Sequence, residues 1–215
     1  MRKLAIALTM LALGHAETAQ AQDGHYSVDG ATVRVPAPAG YCSEGKMVDS
    51  YMANQRSINP SVVPDIVMMR CGAKELTFDF FAVRVVPRAP ATTLKAFLDE
   101  LRRTMPAAQA APSLVSPSQT EALNKRLSDA LAANATIRNE IRPIGVDDTC
   151  GYVAGLIHFE VAGSTADDAA IVGCATVIAG HPVYLFRYQP GTDREKAVAA
   201  MPELKALALA ATVEK

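Results

Sequence analysis

Chemistry in this 215-residue sequence would have to come from four cysteines, four histidines and a few paired acids. Cys42, Cys71, Cys150 and Cys174 contain no C-x-x-C pair, and no histidine stands at ligand spacing from them. That pattern argues against a thiolate zinc site or a redox pair. An even number of cysteines in an oxidising compartment reads instead as two disulfides. Four cysteines allow three pairings, of which the nearest-neighbour one joins Cys42 to Cys71 and Cys150 to Cys174. A hairpin closed around "GSTADD" would set Cys174 opposite Ile157 or His158, more than about 20 Å from Cys150 at ~3.3 Å per residue. A tight turn at Ala162-Gly163 would restore the pair.

His158 lies in an apolar run with Glu160 two residues on, so a strand would present both on one face. Such a pair can serve as a base and its orienting group, or as two ligands of a metal site. One strand supplies only two ligands, and the sequence shows no third; no cofactor is expected. His181 stands beside Gly180 and Pro182, where a turn and solvated surface are expected. Asp147-Asp148 and Asp167-Asp168 fall in expected loops, without the alternating oxygen ligands and glycine of a calcium loop. There is no G-x-S-x-G, H-E-x-x-H, P-loop or dinucleotide fingerprint. The sequence therefore assigns no catalytic residue, and His158, Glu160 and His181 are the candidates it leaves.

The N-terminus places these residues. "MRKLAIALTMLALGHAETAQAQ" has a basic start, an apolar core from Leu4 to Leu13 and a small-x-small end at Ala19-Gln20-Ala21. That is the pattern of a signal peptide cut after Ala21, and its core is too short to span a bilayer. No cysteine lies near the cut, so no lipid anchor is expected, and no later stretch reaches the length of a membrane span. Residues 22–215 would then work in the periplasm or be secreted. With 21 basic and 22 acidic residues the chain has no basic face for nucleic acid.

Alternation of Ala31, Val33 and Val35 predicts a strand that ends at Pro36, Pro38 and Gly40. Val48–Ser57 suits a short helix. "DIVMMRC" and "LTFDFFAVRVV" read as strands divided by Cys71-Gly72. Leu94, Phe97, Leu98, Leu101 and Met105 make one helical face, with Pro106 as its stop. A low-complexity joint at 106–119 leads to a helix capped by Ser116, with Pro117 in its first turn and Leu123, Leu127 and Leu131 inward. "CGYVAGLIHFEV" and "VGCATVIAGHPVYLFRYQP" are further strands, the second a hairpin turning at Gly180. Phe78, Phe80, Phe81, Tyr184, Phe186 and Tyr188 are expected in the core and on one partly exposed aromatic face. The closing helix should kink or restart at Pro202. These elements suit a single α+β domain over 22–215: an antiparallel sheet of about six or seven strands with helices packed on it.

Both ends of this pattern resemble the Mog1/PsbP-like α/β/α fold. "VDGATVRVPAPAGY" is similar to that group's first strand and its Pro-x-Gly-aromatic turn. "IAGHPVYLFRYQPGTDREKAVAAMPELKAL" is similar to its glycine turn, late strand and C-terminal helix. "GYC" followed by "RCG" also resembles a pattern in small exported bacterial proteins. The resemblance implies accessory, binding or chaperone-like roles and lends no catalytic residues. The expectation is an exported, disulfide-stabilised, non-catalytic binding or accessory module of the bacterial periplasm, its partner an envelope protein. The alternative is a periplasmic enzyme or metal-binding protein centred on His158 and Glu160.

Overall fold

The computed structural model describes residues 21–214 except 59, 61, 62, 87, 88, 112, 164 and 165. The expected leader, 1–21, lies outside the described residues apart from Ala21. The first described elements are Gly24–Val28 (β1) and Ala31–Val35 (β2), a hairpin turned by Asp29 and Gly30. Tyr41–Cys42 (β3) and Lys46–Ile58 (α1) follow, then Ile66–Arg70 (β4) and Phe80–Val85 (β5). Leu94–Ala110 (α2) and Pro117–Leu131 (α3) form the middle of the chain. Ala135–Val146 (β6), Gly151–Val161 (β7), Asp167–Ile178 (β8) and His181–Pro190 (β9) come next. Arg194–Val198 (α4), Met201–Ala210 (α5) and Thr212–Glu214 (β10) close it.

The chain has the expected α+β class. Seven strands form one antiparallel sheet in the order β3-β4-β5-β9-β8-β7-β6. Side chains alternate across it. One face carries Val67, Met69, Phe80, Ala82, Phe186 and Tyr188, with Val48, Tyr51 and Met52 of α1 packed over them. Helices α2 and α3 lie over the β6 end of the sheet. The opposite face carries Met68, Phe81, Val83, Val172 and Leu185 against α4, α5 and β2. The restart at Pro202 occurs as expected, at the head of α5.

A second sheet, β1-β2-β10, was not foreseen. In β1 a glycine, Gly24, takes the first inward position and leaves little apolar pattern beside Tyr26, and β10 is three residues long. Both pair with β2, the one strand of the three whose pattern is plain.

One helix boundary differs from expectation. Helix α2 begins with the Thr93 hydroxyl accepting from the Ala96 N–H at 3.2 Å, and it continues through Pro106 to Ala110. Pro106 faces solvent, so the carbonyl it leaves unpaired can be hydrated while Met105 and Ala108 continue the inner face. The joint at 106–119 therefore shrinks to Ala111–Ser116. Ser116 caps α3 as expected, in a reciprocal box with Gln119. Leu127 is buried, but Leu131 is 44 % exposed because the chain leaves the helix at Ala132, one residue on.

Strand β6 is the outer strand at one side of the sheet, and it accepts Pro143 on that account. Its outward backbone groups are occupied by α3 and the preceding segment. Ser128 bonds both the N–H and the carbonyl of Ala135, Asn124 accepts from the Ile137 N–H at 2.6 Å, and the Leu114 N–H donates to the Ile141 carbonyl at 2.8 Å. Gly155 of β7 sits so close to this strand that any Cβ would collide with the Glu140 carbonyl. At the other side, Gln22 bonds along β3.

The turn between β7 and β8 is tighter than a loop around "GSTADD". Phe159 pairs with Asp167, which centres the turn on Gly163 at φ +87°. Cys174 consequently faces Tyr152, not Ile157 or His158, and comes beside Cys150. Asp167 and Asp168 are strand residues, not loop residues.

Candidate functional site

Both neighbour disulfides are formed. Cys42–Cys71 ties β3 to the turn after β4 at a Cα separation of 5.0 Å, and Cys150–Cys174 ties the start of β7 to β8 at 5.2 Å. The two differ in surroundings. Cys150 and Cys174 are wholly buried in the main core, whereas Cys71 is partly exposed in a surface turn. Thiol exchange needs access to a sulfur. Under mild reduction of the native protein, Cys42 and Cys71 should therefore be alkylated well before Cys150 and Cys174. Peptide mapping after timed alkylation reads the order, and simultaneous labelling would count against it.

The residues beside the first disulfide build a polar cluster that reaches into the core. Tyr41 and Arg70, the neighbours of Cys42 and Cys71 in "GYC" and "RCG", are cross-strand partners. The Tyr41 hydroxyl donates to Asp79 at 2.7 Å, and Arg70 Nε donates to the other Asp79 oxygen at 2.7 Å. Arg187, only 6 % exposed, ion-pairs with Asp79, donates to the Tyr41 hydroxyl at 2.8 Å and lies 4.6 Å from the Phe81 ring centre. Burial opposes ionisation of Asp79, but hydrogen bonds from Arg70, Tyr41 and Arg187 outweigh it and hold its pKa at about 2. Every charge in the cluster has a partner. Its role is to let β9 carry an arginine through the core.

A second cluster organises the turn between β6 and β7. Asp147 accepts from the Thr149 and Cys150 N–H groups, both at 2.7 Å, from the Tyr152 hydroxyl at 3.0 Å and from Lys205 at 2.9 Å. Asp148 takes the other contact of Lys205, at 2.6 Å. The pair is in a loop as expected, but Asp147 is the centre of that turn and not a solvated bystander. Burial raises its pKa, and the bonds from Lys205, Cys150, Thr149 and Tyr152 lower it further, to about 2.

Asp79 and Asp147 titrate near 3.8 when unfolded and at about 2 when folded. A lowered folded pKa gives stability that is complete above the unfolded value and lost as pH falls through the folded one. The melting temperature should thus hold level down to about pH 4 and fall steeply between about pH 4 and pH 2. Asp79→Asn should flatten that fall in a series of thermal melts; an unchanged slope would remove Asp79 from the account.

His158 and Glu160 occupy one face of β7 as expected, toward its C-terminal end. Asp168, opposite His158 on β8, accepts from Nδ1 at 2.6 Å. That leaves Nε2 turned toward Glu160, 3.8 Å away, with Arg138 of β6 4.0 Å from the same carboxylate. An imidazole held this way could act as a base. Among the described residues no hydroxyl or thiol bonds to its Nε2, and no group of three or more His, Cys, Asp or Glu could hold a metal ion. His181 departs from expectation: it is 9 % exposed, and its Nε2 lies 3.1 Å from Asp29 in the β1–β2 turn. Pairing with Ile178 of β8 draws it into the sheet, so it joins the two sheets instead of facing solvent. The structure does not bring His181 to His158 and Glu160: His181 pairs with the last residue of β8, whereas His158 of β7 lies opposite its second.

No family model matches the sequence, and no curated protein matches it. One similar solved structure is the solution structure of cyanobacterial PsbP (CyanoP) from Synechocystis sp. PCC 6803, at 14 % identity. The match covers 95 % of this chain and 99 % of that one, with a TM-score of 0.35.

Proposed function

We propose that the protein is an exported, disulfide-stabilised accessory or binding module of the bacterial periplasm, cut after Ala21 and folded as one α+β domain over 22–215. The observation that carries this reading is the Cys150–Cys174 bond, closed inside the main core. Reducing compartments keep such thiols open, so the core of this fold is complete only where an oxidant acts. Clusters around Asp79 and Asp147 that satisfy their own charges support a non-catalytic role. No helix among the described residues is long and apolar enough to cross a membrane. The expected partner is an envelope protein.

Fractionation with N-terminal sequencing tests export, and crosslinking of the tagged protein in cells tests binding. A mature chain beginning at Gln22 and one reproducible envelope partner are the expected results. An uncleaved cytoplasmic chain would overturn export, and a partner-free monomer would overturn the accessory role. The second reading, an enzyme or metal-binding protein centred on His158 and Glu160, draws on the imidazole oriented by Asp168. His158→Ala should leave partner capture unchanged if the first reading holds.

A further inference from the structure

The aromatic residues foreseen as one partly exposed face do more than fill the core. At the end of the sheet where β8 begins and β9 ends, the α1-covered face opens into a cavity of about 290 Å³. Tyr51 of α1, with Phe78 and Phe80 before and on β5, lines one wall; Phe159 of β7 lines the other. Pro190 forms part of the floor. Tyr51 and Phe80 are 5.2 Å apart and tilted by 53°, so neither ring closes flat over the other. Tyr51, Phe78 and Phe159 all remain partly exposed. Phe78 and Phe159 stand three strands apart, about 14 Å at ~4.8 Å per strand, which leaves a trough for a guest.

Two acidic residues line this cavity, Asp167 and Asp168. Asp167 pairs with Phe159 across β7 and β8, so both project into the same side of the sheet. Asp168, the next residue, also borders the cavity, but its side chain is turned to the other side of the sheet and is held by His158. Asp167 is exposed at the rim and has no ion pair among the described residues, unlike Asp23, Asp79, Asp99 and Asp147. Ring faces are negative and a carboxylate is more so, so a positively charged guest gains from them what a neutral apolar guest of the same shape would not.

We propose that this trough binds a small organic cation of the alkylated-ammonium class, its apolar groups against Tyr51, Phe78 and Phe159 and its charge toward Asp167. The charge would be shared between ring quadrupoles and one carboxylate, the arrangement that suits ammonium groups too well covered by carbon to donate hydrogen bonds. The site gives the binding module a ligand and rests on that reading only in that respect. Partner capture in cells and ligand binding in vitro are separate measurements, so either can fail without the other.

The test is calorimetric titration of the oxidised protein with choline and with its uncharged isostere, in which carbon replaces the ammonium nitrogen. Choline should bind about tenfold more tightly than the isostere. Asp167→Asn and Phe159→Leu should each weaken choline several-fold and leave the isostere nearly unchanged in the first case. Both positions are at least partly exposed, and the unfolding curve of each variant checks that it folds. Equal affinity for choline and isostere, or choline binding indifferent to Asp167→Asn, would overturn the proposal, as would no choline binding at millimolar concentration.

Discussion

Replacing Asp79 with alanine should destabilise the protein by about 3–5 kcal/mol, the cost of stranding a buried charge. Arg187 is the stranded group. It is buried on β9, enclosed by Phe81 and Tyr41, and Asp79 is the carboxylate that neutralises it. Its remaining acceptors, the Phe80 and Tyr188 carbonyls and the Tyr41 hydroxyl, carry no full charge. Arg70 loses its partner too, but from a half-exposed position where water compensates. Asp79→Asn keeps an acceptor without the charge and should fall between wild type and alanine. Removing both charges, as Asp79→Leu with Arg187→Met, should cost less than Asp79→Ala alone, because no uncompensated ion remains. Urea unfolding followed by circular dichroism measures each step. A loss under about 1 kcal/mol for Asp79→Ala would mean that Arg187 escapes to water when its partner is gone.

Replacing Cys150 and Cys174 together with alanine should cost about 2–5 kcal/mol. The bond closes a loop between residues 24 positions apart, and chain entropy alone assigns such a loop roughly 3–4 kcal/mol. The site adds to this, since both sulfurs are buried in the main core and two smaller side chains leave space there. The Cys42–Cys71 pair closes a loop of similar length, with a separation of 29, but it holds a two-residue strand at the margin of the sheet. Its loss should loosen β3 locally, while loss of the inner bond should lower the stability of the whole fold. Native-state hydrogen exchange separates the two: the inner double variant should lose protection across β7 to β9, the outer one chiefly in β3 and β4. Equal and global loss for both would contradict this assignment.

Much of the architecture was legible because it rests on local pattern. Ala31–Val35 alternates cleanly, α2 shows its apolar stripe at Leu94, Phe97, Leu98 and Leu101, and Ser116-Pro117 announces α3. What escaped depends on partners distant in sequence. Strand β10 is too short to carry a pattern and exists because β2 offers an open edge. His181 looked like a surface turn residue, but its exposure is decided by Asp29 in another sheet. The disulfide pairing hinged on whether the β7–β8 turn centred on Gly163, a shift of a few residues that local composition does not decide. The Asp79 cluster was hardest, since Tyr41 and Arg187 are 146 positions apart. Its one signal was the pairing of "GYC" with "RCG", whose tyrosine and arginine turn out to face each other across β3 and β4.

The side chains that α3 lends to β6 decide how this sheet behaves in a crowd. An open outer strand is a template on which other chains can add, and aggregation and fibre growth begin there. Here Ser128, Asn124 and the Ser113–Leu114 segment occupy the hydrogen-bonding positions that an incoming strand would need, and Gln22 does the same beside β3. The seven-stranded sheet thus closes much of its outer border with side chains of its own, and an arriving strand finds fewer places to attach.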